Sequence, residues 1–152
     1  MIIAVDFDGT IVEHAYPKIG RPIPFAFEVL KKLQEETDHT LLLWTMREGE
    51  LLDEALKFCE EKGLRFYAVN KNHPDEEPLS APRKLGADVF IDDRNLGGIP
   101  DWGVIYNLLK SGEDDYSRFE RIMNFSEANR NRNKNFFTRL GEALDKARGR
   151  NY

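Results

Sequence analysis

Met1-Ile2-Ile3-Ala4-Val5-Asp6-Phe7-Asp8-Gly9-Thr10 is an apolar run that stops at two carboxylates and a glycine. A short apolar run bounded by a turn signal is the pattern of a strand buried on both faces, as in a parallel sheet. Side chains two apart on a strand share a face, so Asp6 and Asp8 leave its carboxyl end on the same side. Ligands of open α/β sheets bind at that end. Two like charges so close cost free energy unless a cation neutralises them, and a divalent metal suits that role. Gly9 permits the sharp turn that follows, and Thr10 adds a hydroxyl.

The rest of the chain repeats strand and helix in alternation. Ile11-Val12-Glu13-His14 reads as a short extended flap, and Tyr16 to Pro22 as loop by its Pro and Gly content. A helix is expected from about Pro24 to Thr37, with Ala26, Phe27, Leu30 and Leu33 at helical spacing. Thr40 to Thr45 reads as the second strand. Gly49 to Lys62 reads as a helix with the stripe Leu52, Ala55, Leu56 and Cys59, closed by Gly63. Strands follow at Phe66–Val69 and Ala87–Ile91, separated by a polar loop from Asn70 to Pro82. Trp102 to Lys110 reads as a helix with Val104, Ile105, Leu108 and Leu109 inward. This order implies a parallel sheet with right-handed crossovers. Trp44 and Cys59 read as core residues.

At 152 residues the chain is long enough for one sizeable core. Its hydrophobic content of 41% and charged content of 32% are those of a soluble globular protein. No apolar stretch is long enough for a membrane span, and no secretory leader is seen. A single cysteine fits a reducing, cytoplasmic setting. The net charge of −5 is unevenly spread. Residues 1–125 carry 15 Lys and Arg against 24 Asp and Glu, while residues 126–152 carry 7 against 3. The acidic body speaks against nucleic-acid binding. Residues 113–152, with expected helices at Tyr116–Phe125 and Phe136–Ala147, read as a helical C-terminal extension. It packs on the 1–112 core or, as a homo-oligomer contact, on another subunit.

Polar residues end three of the strands: Asp6 and Asp8, then Thr45, then Asp92 and Asp93. Lys84 stands just before the last of these strands. This set resembles the haloacid dehalogenase-like phosphatase superfamily, whose first motif stands as Asp6-Phe7-Asp8-Gly9-Thr10. Thr45 is similar to its second motif, Lys84 to its third, and Asp92-Asp93 to its fourth. The resemblance covers roughly residues 1–110. It departs from the family in the short spacing from Lys84 to Asp92, so Arg83 and Lys71 compete for the third motif.

The resemblance implies a three-layer Rossmann-like core, helices on both faces of the sheet, and a Mg²⁺-dependent phosphomonoester hydrolase. Asp6 would be the nucleophile and form an aspartyl-phosphate, and Asp8 the general acid and base. Asp6, Asp92, Asp93 and the backbone carbonyl of Asp8 would hold the metal. Thr45, Lys84, Gly9 and Thr10 would contact phosphate. Arg47 reads either as a phosphate or substrate contact or as part of a surface ion pair, and His14 as a substrate contact from the flap. Only 34 residues separate Thr10 from Thr45, too few for a cap domain beside the flap, one helix and one strand. A capless site is open to small-molecule or macromolecular phosphoesters. The alternative is a phospho-accepting or phosphate-binding module for signalling or assembly, without turnover.

Overall fold

The structure, a computed structural model, describes residues 1–77 and 84–110. The chain divides after Gly112, and the described residues all belong to the first unit. The expected helices at Tyr116–Phe125 and Phe136–Ala147, and Arg83, lie outside the described residues.

Four strands form one parallel sheet in the order β3-β2-β1-β4: β1 (Ile2–Val5), β2 (Thr40–Leu43), β3 (Ala68–Val69) and β4 (Val89–Ile91). The opening apolar run is therefore central. Ile3, Ala4 and Val5 are buried, which explains why neither face of β1 carries a polar residue. β3 and β4 are each two residues shorter than their apolar runs suggest, because their pairing is confined to Leu42–Leu43 of β2 and Ile3–Val5 of β1.

Three helices connect and flank the sheet: α1 (Ala26–Glu36), α2 (Gly49–Glu61) and α3 (Trp102–Leu109). Helix α1 starts two residues after Pro24, since Phe25 takes a left-handed conformation at φ 68° that a helix cannot include. Helix α2 ends as expected at Gly63, whose φ is 76°. Gly63 N donates to Glu60 O at 2.9 Å and Leu64 N to Cys59 O at 3.0 Å, the paired bonds of a Schellman motif. The Asp101 side chain caps α3 by accepting from Gly103 N.

All three helices join one apolar cluster with Ile3, Val5, Leu41, Leu43 and Ile91, the alternate positions of one sheet face. The other face carries Ala4, Leu42, Ala68 and Leu85 with Trp44 and Phe90 against them. Among the described residues, no helix contributes to that second cluster. Ile11 and Val12 correct the flap expectation. Both are wholly buried, held by donation from their N–H groups to Phe7 O, so the exposed loop starts at Glu13. Among the described residues, no helix is long and apolar enough to cross a membrane.

Candidate metal and phosphate site

Sheet register assembles the site. Val5 pairs with Leu43 on one side and Ile91 on the other. One residue further on, Asp6, Trp44 and Asp92 therefore stand level at the carboxyl edge. The ladder bonds continue there, with Trp44 N donating to Val5 O and Asp6 N to Ile91 O, both at 2.9 Å. Thr45 follows, its N–H held at 2.8 Å by the Asn70 side chain, which emerges from β3 in a left-handed conformation. A cavity of about 450 Å³ opens at this edge, and Asp6, Asp8, Thr45 and Asp92 are among its lining residues.

Carboxylate oxygens of Asp6, Asp92 and Asp93 lie within 4.8 Å of one another. Burial pushes the Asp6 carboxyl up to about 6, with the charges of Asp92 and Asp93 adding to it against the opposing hydrogen bonds from Phe7 and Thr10. One oxygen of Asp93, Oδ1, is buried without a hydrogen-bond partner among the described residues. An orphaned buried carboxylate oxygen is costly, and a cation would satisfy it. The donor set is all carboxylate, with no His or Cys, which suits a hard ion such as Mg²⁺. The residues present therefore fit the expected metal.

Gly9 and Thr10 differ from their expected role as phosphate contacts. Thr10 is fully buried; its hydroxyl donates to Asp6 Oδ2 at 3.2 Å and accepts from Asp93 N at 3.0 Å. Its one proton is spent, and it acts as a strut joining the two acidic motifs. The Gly9 N–H is likewise used, donating to Val12 O at 2.7 Å. Gly9 is required for another reason. Its φ is +92°, and a Cβ there would stand 2.7 Å from Asp93 Cγ. Gly9→Ala is expected to cost about 1–3 kcal/mol from the backbone conformation alone. It should also displace Asp93 and weaken Mg²⁺ binding. Urea unfolding and a Mg²⁺ titration measure the two effects.

Arg47 is neither a free phosphate contact nor a surface ion pair. It is fully buried. Its guanidinium forks onto Asp8, Nε to Oδ2 at 2.7 Å and Nη2 to Oδ1 at 2.8 Å. Nη1 donates to Pro17 O at 3.0 Å and Nη2 also to Lys18 O at 2.9 Å. The ring centroids of Phe7 and Tyr16 lie 5.1 and 5.4 Å from its Cζ. One side chain thus orients the second aspartate of the first motif and fastens the loop above it.

The other expected contacts divide. His14 lines the cavity. Lys84 is exposed, its ammonium 5.7 Å from the Phe90 ring centroid, and is not a lining residue. Lys71 bonds to the Pro74 and Glu76 carbonyls of its own loop. Among the described residues, the Lys or Arg that does line the cavity is Arg94, just after the acidic pair, a position to which the sequence reading gave no role. Trp44, expected in the core, is a half-buried wall of the cavity, because the Asp6 level of the sheet is already its open edge. Cys59 is buried in the apolar cluster, and burial pushes its thiol up to about 12, which keeps it from acting as a nucleophile.

No protein-family model matches the chain, and no curated protein does. A solved structure described as the conserved protein coded by a locus from Bacteroides thetaiotaomicron is 63% identical with a TM-score of 0.69, over 75% of this chain and 93% of that one. At that identity and coverage, the chain belongs to the same family as this conserved Bacteroides thetaiotaomicron protein.

Proposed function

We propose that the chain is a Mg²⁺-dependent phosphomonoester hydrolase, a capless member of the haloacid dehalogenase-like type on a Rossmann-like core. The observation that carries this reading is the convergence of Asp6, Asp92 and Asp93 on one strand edge, with a buried Asp93 oxygen left over for a cation. A bound Mg²⁺ would supply Lewis-acid charge and a template for the phosphate.

The protein's own residues have separate tasks. An oxygen of Asp6 attacks phosphorus, the bond from phosphorus to the alcohol oxygen breaks, and an aspartyl-phosphate forms. Asp8 gives a proton to the departing alcohol oxygen. In the second half, Asp8 takes a proton from water, the water oxygen attacks phosphorus, and Asp6 leaves. Arg47 engages one lone pair on each Asp8 oxygen, so a second lone pair on each is left for proton transfer. Thr45 and Arg94 hold the phosphate oxygens, Arg94 taking the task expected of Lys84. Thr10 and Gly9 hold Asp6 and Asp93 in place.

The test is phosphate release from a panel of phosphomonoesters. Release should require Mg²⁺, stop with a chelator, and disappear in Asp6→Asn. Full activity in a folded Asp6→Asn protein would sink the reading. The Arg47 fork takes up part of the acceptor capacity of Asp8, and this favours one alternative, a phospho-accepting signalling or assembly module in which water is activated too slowly for turnover. In that case phospho-Asp6 would persist for minutes to hours after a phosphodonor is removed, with no multiple turnover.

A further inference from the structure

Besides its carboxylates the cavity has apolar lining, from Tyr16, Trp44 and Met46. Tyr16 and Met46 are two of only five large apolar side chains that are well exposed among the described residues, so two of the five meet at this one cavity. Both rings are fixed in advance. The Trp44 ring meets Phe90 edge to face, with centroids 5.1 Å apart at 66°. Tyr16 is backed by the Arg47 guanidinium, which also bonds to the next two carbonyls of its loop. Preformed aromatic surface binds with little ordering cost. The Met46 thioether, whose Sδ accepts from Arg94 Nη1 at 3.5 Å, is adaptable and favours ring edges.

Charge narrows the ligand further. Asp6, Asp8 and Asp92 line the cavity with carboxylates, and among the described lining residues Arg94 is the one Lys or Arg. With Arg94 on the phosphate, a second anionic group on the substrate would meet no further Lys or Arg among the described lining residues. A volume of about 450 Å³ is within the range of small-molecule pockets.

We infer that the leaving group of the substrate is a neutral alcohol carrying a flat apolar ring, bound against Tyr16, Trp44 and Met46. This rests on the phosphomonoesterase reading, so its test has a binding arm that needs no turnover. Ethyl phosphate and 2-phenylethyl phosphate have leaving groups of similar basicity and differ in the ring. With Mg²⁺ present, kcat/KM for the phenylethyl ester should exceed that for the ethyl ester by about tenfold or more, chiefly through KM. Tyr16→Ala and Trp44→Leu should shrink that ratio to about twofold. Tyr16 is exposed, so its variant keeps the test open if Trp44→Leu fails to fold.

Calorimetric titration of the wild type with ethylphosphonate and 2-phenylethylphosphonate reads binding alone. Tighter binding of the ring compound without hydrolysis of either ester supports the ring subsite and overturns the hydrolase reading. Hydrolysis of both esters at equal kcat/KM overturns the ring subsite and leaves the hydrolase reading standing. A ratio unmoved by Tyr16→Ala overturns it as well. Adenosine 5′-monophosphate against ribose 5-phosphate names the source of the ring. A gain there assigns a nucleobase, and a gain confined to the phenylethyl ester assigns a carbocyclic aromatic.

Discussion

Asp6→Asn is expected to abolish turnover and at the same time to stabilise the metal-free protein. The loss of activity should be roughly 10³-fold or more, as for removal of a covalent nucleophile. The gain in stability follows from electrostatics. The native carboxyl is pushed from an ordinary 3.8 up to about 6 by burial and by the neighbouring charges of Asp92 and Asp93. Between those two values the native state binds more protons than the unfolded chain. Stability of the metal-free protein therefore falls as pH rises from about 3.8 through about 6, and stays at the lower level above that. Asn carries no charge and removes the penalty. Discounted for partial exposure, the gain above pH 7 is about 1–2 kcal/mol, or a few degrees in Tm. Thermal unfolding at pH 5 and pH 7.5 with a chelator should show the difference between wild type and variant growing with pH. Mg²⁺ should reverse the order, because a ligand that binds only the native state stabilises it and the variant has lost a carboxylate ligand. A metal-free variant no more stable than wild type at pH 7.5 would contradict the acidic cluster as described.

Arg47→Ala is the second large effect, and it is structural. The substitution leaves the Asp8 carboxylate without its forked partner and removes the donors to Pro17 O and Lys18 O. Breaking a buried ion pair by deleting one partner costs about 3–5 kcal/mol, a large share of the 5–15 kcal/mol that holds a typical domain together. Tm should fall on the order of 10 °C. Arg47→Lys should recover little, since a point charge on a flexible stem cannot fork onto both Asp8 oxygens and reach two carbonyls as well. Pairing with Asp8→Ala gives a sharper measurement. The double variant should lose less than the two single losses added, because the single Arg47 deletion includes the cost of an unpaired carboxylate. Urea unfolding of the four proteins closes the cycle. Additive losses would mean the fork is incidental.

Much of this architecture was legible in the residues alone. The run from Ile2 to Val5 was legible as a strand buried on both faces, and the carboxylates that end it as standing at the carboxyl edge of the sheet. Helix α2 was readable from its stripe and from Gly63, because the Schellman geometry admits little else at a positive φ. Other features depended on contacts distant in sequence. Asp8 and Arg47 are 39 residues apart, and Thr10 and Asp93 are 83 apart. No local pattern announces such pairs. Arg47, read either as a phosphate or substrate contact or as a surface ion pair, became the buried pin of the loop. Thr10 and Gly9, read as phosphate contacts, turned out to have their protons already donated inside the protein.

Periodicity and strand-end chemistry, which are local properties of the chain, determined the order of elements and the placement of Asp6 and Asp92 at strand ends. That Asp6, Asp92 and Asp93 form one acidic group was implied by the family resemblance and by the fold. Tertiary structure alone decided what each hydrogen-bond donor near that group is left free to do. Sheet register set Asp6, Trp44 and Asp92 level, Asp93 packed against Gly9, and the Arg47 guanidinium met Asp8 and the loop carbonyls at once. Once a proton or a lone pair is engaged by one partner it is lost to every other, and only the folded chain shows which partner that is.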